Sequence, residues 1–66
     1  MKIKYDKATD NIYFILSDRP VVESEEIEKD VIVDYDENDA IVAIEILKFS
    51  EKEETIDLPV DLKKAS

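Results

Sequence analysis

Asp34, Asp36, Asn38 and Glu45 stand at the spacing of a calcium-binding loop. Such a loop sets oxygen ligands at its first, third and fifth positions, an aliphatic residue (here Ile41) at the eighth and a glutamate at the twelfth, because a hard cation is held by carboxylate and carbonyl oxygens. Two features count against that chemistry. The sixth position is Asp39, where the loop needs a glycine for its sharp turn, and the flanking segments read as strands where the motif needs helices. If residues 33–35 and 40–47 form a hairpin, Glu45 lies down its own strand, away from the loop tip. The segment reads as an acidic hairpin turn; a weak calcium-binding hairpin module is kept as an alternative, and no metal or cofactor is assigned.

Other chemistries are excluded by missing residue types. A nucleophilic triad needs a base such as His beside Ser or Cys, and the chain has no His and no Cys. Ser17, Ser24, Ser50 and Ser66 read instead as turn, edge, cap and terminus residues. Paired carboxylates can divide acid and base roles only where burial separates their pKa values, which requires an enclosed cleft. A chain of 66 residues has little room for one, and with 18 acidic residues close carboxylate pairs arise by chance. Glycine is absent, which removes both the P-loop and the dinucleotide fingerprint, since each needs backbone to approach phosphate without a side chain in the way. No catalytic residue is assigned, and the protein is expected not to be an enzyme.

The charge balance, 9 Lys plus Arg against 18 Asp plus Glu for a net charge of −9, narrows the partners. Nucleic-acid affinity rests largely on basic groups that release counterions, so DNA and RNA are disfavoured, as are anionic membrane surfaces. A basic partner protein suits the charge better. No apolar run approaches the length that spans a bilayer, and Lys2 and Lys4 are not followed by the apolar stretch of a signal peptide. A cytoplasmic protein is expected.

The elements follow from periodicity. Residues 2–6 alternate, with Ile3 and Tyr5 on one face. Residues 11–17 carry Ile12, Phe14 and Leu16 on one face and Tyr13 and Ile15 on the other, the mark of a central strand or one that meets a partner. Residues 21–28 hold Glu23, Glu25, Glu26 and Glu28, a charge density that fits a protected sheet edge. Residues 31–35 alternate, as do residues 40–47, with Val42, Ile44 and Ile46 on one face and Ile41, Ala43, Glu45 and Leu47 on the other. Short polar loops join these segments. Without glycine, turns that need a positive φ fall to Asn or Asp, and Asn11, Asn38 and Asp39 are the candidates. Beyond residue 48, a capped helical turn at residues 50–54, with Glu53 completing a capping box, precedes an alternation of Ile56, Leu58, Val60 and Leu62 that Pro59 marks as an edge strand or extended arm.

The prediction is one mainly β domain over residues 1–66, an antiparallel meander of about five strands with a short helical turn or extended C-terminal arm; α+β is the alternative. A core this small, without disulfide or zinc, leaves self-association as the remaining source of stability. Tyr13, Ile15 and Ile32 would share the reverse face as an apolar patch that asks for a partner. They are the candidate interaction residues, and a homodimer is the expected state.

The segments 1–6, 10–17, 31–36 and 41–47 resemble the small prokaryotic proteins grouped as domain of unknown function 2283, with matching spacing from residue 1 to about 48. Members commonly carry a glycine in the loop matching residues 36–40 and another near Ala43; this chain has neither, which changes the turn and weakens the calcium reading further. The resemblance implies a compact β-rich domain and brings no catalytic residues. Members are often encoded near small toxin-like proteins, so it also implies an antitoxin-like role, in which an acidic chain masks a basic partner.

Overall fold

The computed structural model describes residues 1–51. Each alternating segment becomes a strand: β1 (Lys2–Asp6), β2 (Asn11–Ile15), β3 (Glu23–Glu28), β4 (Val31–Tyr35) and β5 (Ile41–Ile46), followed by a 3-10 turn at Phe49–Glu51. All five form one antiparallel sheet, so the mainly β expectation holds. The expected capping residue Glu53 and the alternation from Ile56 to Leu62 lie outside the described residues. Among the described residues no helix is long and apolar enough to cross a membrane.

The strand order is β1-β2-β5-β4-β3, which corrects the simple meander. Neighbouring pairs hold for β1–β2 and for β3–β4–β5, but β2 lies beside β5, the Greek-key connectivity. The reason is composition. A meander would leave β5, apolar on both faces, at an edge and set glutamate-rich β3 in the interior. The observed order gives β5 the centre and β3 an edge, where its charges stay in water. Residues 16–22 make the crossing over three strand spacings of about 4.8 Å, a span well within the roughly 24 Å they reach when extended. Val42 O anchors its start by accepting from Leu16 N at 2.8 Å and Ser17 N at 3.2 Å, and Tyr35 O anchors its end by accepting from Val22 N at 2.9 Å.

The core lies on one face. Its central row runs Ile3, Phe14, Ile44, Val33 across β1, β2, β5 and β4, and the next runs Tyr5, Ile12, Ile46, Val31. Val31, Val33 and Ile44 are fully buried, whereas Ile3 at the edge is 58% exposed. A bulge at Asp34/Tyr35 pairs Tyr35 with Ile41 where an unbroken register would give Val42. It turns Ile41 onto the core side with Phe14 and Tyr35, which corrects its expected place beside Ala43 and Glu45.

The glycine-free turns are built on aspartate. Positive φ occurs at Asp10, Asp30, Asp39 and Lys48. Asp39 was expected; Asn11 and Asn38 were not borne out. Asn11 has already entered β2, paired with Asp6, so the left-handed residue is the one before it, as Asp30 is before β4. Asn38 instead donates its backbone N–H to Asp36 Oδ1 at 2.8 Å. Lys48 carries no side chain suited to this region, and its conformation is held by neighbours: Leu47 N donates to Asp30 O and Phe49 N to Asp10 O, both at 2.8 Å.

Ile44→Val should cost about 1 kcal/mol, since one methylene is lost from a fully packed site, and lower the thermal midpoint by roughly 4–8 °C. Ile3→Val, at the exposed end of the same row, should change stability by less than about 0.5 kcal/mol. Circular-dichroism melts of the two variants check the contrast.

Candidate functional site

The face opposite the core brings together the three residues singled out from sequence. One row crosses it as Lys4, Tyr13, Glu45, Ile32, Glu26, and the next as Lys2, Ile15, Ala43, Asp34, Ser24. Tyr13, Ile15 and Ile32 therefore share one face, half-buried, with Ala43 and Glu45 of the central strand between them. The rim is charged and uneven: exposed Lys2 and Lys4 lie on the β1 edge, exposed Ser24 and Glu26 on the β3 edge.

Glu45 is the residue that sequence reasoning assigned to a different role. Its spacing matched a loop ligand, but the register sets it mid-strand, opposite Tyr13 on one side and Ile32 on the other. Burial raises its pKa above the ordinary glutamate value, and the nearby Asp34 charge raises it further. Among the described residues no hydrogen-bond donor reaches it. Asp34, at 9% exposure, is satisfied by Ser24, whose Oγ donates to its Oδ1 at 2.6 Å. Glu45 therefore shares an open sheet face with one other acid, Asp34, which is already engaged by Ser24.

The fold does not gather the residues of the calcium-loop spacing around one point. Asp34 bonds to Ser24, Glu45 sits on the reverse face, and Asp36 is used inside its own loop. The Asp36 side chain is 5% exposed; its Oδ1 accepts from Asn38 N at 2.8 Å and Ala40 N at 2.9 Å, and its Oδ2 meets Arg19 Nε at 2.8 Å. These partners, the Ala40 N–H foremost, hold its pKa below the ordinary aspartate value against the opposing effect of burial. Among the described residues no three acidic side chains converge as a cation site.

Two other places on the surface gather polar side chains. A cleft of about 220 Å³ is lined by Arg19, Pro20, Val22, Asp36, Glu37 and Asn38. It is below the roughly 300–1,000 Å³ of small-molecule sites, and its buried carboxylate is already paired. The second is the cluster around Asp10. Tyr5 OH donates to Asp10 Oδ1 and Ser50 Oγ to Oδ2, both at 2.6 Å, while the Tyr5 and Phe49 rings lie 6.2 Å apart. The Ser50 bond first, then that from Tyr5, lowers the Asp10 pKa, and the same contact with Asp10 raises that of Tyr5. A carboxylate held below its ordinary range is a poor base for a hydroxyl, so the cluster is a clamp that ties the turn at Phe49–Glu51 to the β1–β2 loop.

The signs of these shifts predict a pH profile. Asp10 and Asp36 are lowered from 3.8, so the unfolded chain binds more protons in that window; their stabilisation is full above the ordinary value and lost as pH falls through the folded one. Glu45 is raised from 4.5, so the folded state binds more protons, and its ionisation opposes folding at neutral pH. Glu45→Gln should melt higher than the parent at pH 7, with the gap closing as pH falls toward 4.5. Asp36→Asn should melt lower at pH 7 and lose less than the parent between pH 5 and about 3. Thermal melts across that range check both.

No curated protein and no solved structure matches the chain. The family described as protein of unknown function DUF2283 matches residues 2–50, a span that holds all five strands, the reverse face and the Asp10 clamp through Ser50. Covering most of the 66 residues, that match establishes that the chain belongs to the DUF2283 family.

Proposed function

We propose that this protein is a non-enzymatic contact module of the cytoplasm that self-associates through the face carrying Tyr13, Ile15 and Ile32. The observation that carries the reading is a face turned away from the core, on which Tyr13, Ile15, Ala43 and Ile32 of three interior strands surround Glu45 and Asp34 within a charged rim. An apolar centre within a polar rim is the usual anatomy of an interface. The thin core supports it, since a domain of this size gains from burying a second face. A chain without cysteine suits a reducing compartment. Five strands about 4.8 Å apart and about 17 Å long present roughly 400 Å² of flat sheet, half the approximately 800 Å² that a standard interface buries per partner. A face this small makes a weak, concentration-dependent dimer the expected state.

Light scattering coupled to size exclusion should show a mass that rises from monomer to dimer between about 1 and 500 μM. Tyr13→Lys and Ile32→Lys should hold the chain monomeric over that range with an unchanged circular-dichroism spectrum. A wild-type chain that stays monomeric throughout rejects the reading.

The acidic edge favours a second reading, an antitoxin-like contact with a basic protein. Glu23, Glu25, Glu26 and Glu28 are all exposed on β3, which among the described residues has a strand neighbour on one side alone. Titration with a lysine-rich peptide, followed by amide NMR, should move residues 23–28 saturably. Small shifts spread evenly over the acidic surface would dismiss it.

A further inference from the structure

The middle of the reverse face carries uncompensated negative charge. Glu45 lies on the central strand, opposite Tyr13 on β2 and Ile32 on β4, and Asp34 stands two residues along β4, opposite Ala43. The two acids are thus diagonal neighbours on adjacent strands, about 7–8 Å apart at their Cα atoms. Asp34 is 9% exposed and Glu45 is half-buried. Ser24 Oγ donates to Asp34 Oδ1 at 2.6 Å, which supplies a hydrogen bond and no charge. Among the described residues no cation pairs with Glu45, whose pKa is raised by burial and then by Asp34. Lys2 and Lys4, the lysines of this face, stand on β1, two strand spacings or about 10 Å from β5. Two copies centred on each other here would set Glu45 and Asp34 of each against the same acids of the other, and like charges opposed in an interface cost energy. The apolar residues suit a second copy; the charge at their centre does not.

We infer that the face takes a partner protein presenting an arginine within an apolar patch, the guanidinium between Glu45 and Asp34 and the patch on Tyr13, Ile15 and Ile32. The inference rests on the reading of this face as a contact surface and names the occupant that fits it better than a second copy, which competes for the same residues. A guanidinium is planar, bridges oxygens with paired N–H donors and is more weakly hydrated than an ammonium, so it loses less on entering a half-buried site. Tyr13, directly opposite Glu45, offers a ring face for it to stack on. A carboxylate already disfavoured as an anion by burial and a neighbouring acid gains most from an arriving cation. The net charge of −9 draws a basic surface in from solution. The contact lies on the middle strands, apart from the glutamates of the β3 edge.

The probe is a short apolar peptide with one central arginine, set against the same peptide with citrulline, which keeps the shape and loses the charge. Followed by amide NMR, the arginine peptide should shift residues 13, 32, 34 and 43–45 saturably, and the citrulline peptide should bind about tenfold more weakly. Glu45→Gln should weaken the arginine peptide about tenfold, and Glu28→Gln on the exposed edge less than twofold. The same Glu45→Gln should strengthen self-association in light scattering, since it removes the opposed charge. A merely structural glutamate would move both associations in one direction, and that result overturns the inference. Equal binding of the two peptides, or shifts confined to residues 23–28, overturns it as well. A parent that dimerises through Tyr13 and Ile32 yet ignores the arginine peptide rejects the inference and leaves self-association standing. A parent that stays monomeric yet binds the peptide at Glu45 upholds the inference and rejects self-association. Failure of both removes the face as a contact surface and the inference with it.

Discussion

Ile44 sits between Phe14 on β2 and Val33 on β4, and its burial is what the rest of the sheet is arranged around. In a chain this short the apolar residues can fill one face of one sheet, so the strand richest in them must have neighbours on both sides. Placing β5 at the centre satisfies that demand and forces the long crossing from β2 to β3. The crossing then needs its own anchors, which it finds at the carbonyls of Val42 and Tyr35 and in the Arg19–Asp36 pair. The acidic strand is left with the edge, where hydration of its glutamates costs nothing in packing.

Carboxylates serve this protein in two physically different ways. At the turns they replace glycine: Asp10, Asp30 and Asp39 take positive φ, and Asp10 and Asp36 turn their oxygens onto backbone and hydroxyl donors. Those carboxylates are stabilised as anions and so bind the fold together. Glu45 is the contrary case, an acid on a half-buried face with apolar neighbours in its row and another acid close by. A group that opposes folding of the single chain is consistent with a surface shaped by something other than the chain's own stability.

The two faces of the sheet divide the work accordingly. One is filled by the rows through Ile44 and Ile46; the other mixes Tyr13, Ile15 and Ile32 with Glu45 and Asp34, between Lys2 and Lys4 on β1 and Ser24 and Glu26 on β3. Neither the cleft near Arg19 nor the Asp10 cluster has an unengaged group of the kind that reacts with a substrate. The proposed contact with another protein surface rests on this distribution of apolar and charged groups.

Much of the local structure was legible before any coordinates, because it is encoded at short range. Period-two alternation located the five strands to within about two residues, the glutamate run identified an edge, and missing His, Cys and Gly removed whole classes of chemistry. Tyr13, Ile15 and Ile32 were legible as one face for the same reason, since successive residues in a strand point to opposite sides. The partners of each strand were not legible. Pairing β2 with β5 is a competition among distant segments for buried positions, and it decided that Glu45 lies in the apolar strip, that Ile41 turns to the core, and that Lys4 and Glu26 end one row. Alternation by itself determined what each strand presents; the long-range order of strands alone decided what those faces present together, because cross-strand neighbours are set by packing of the whole sheet.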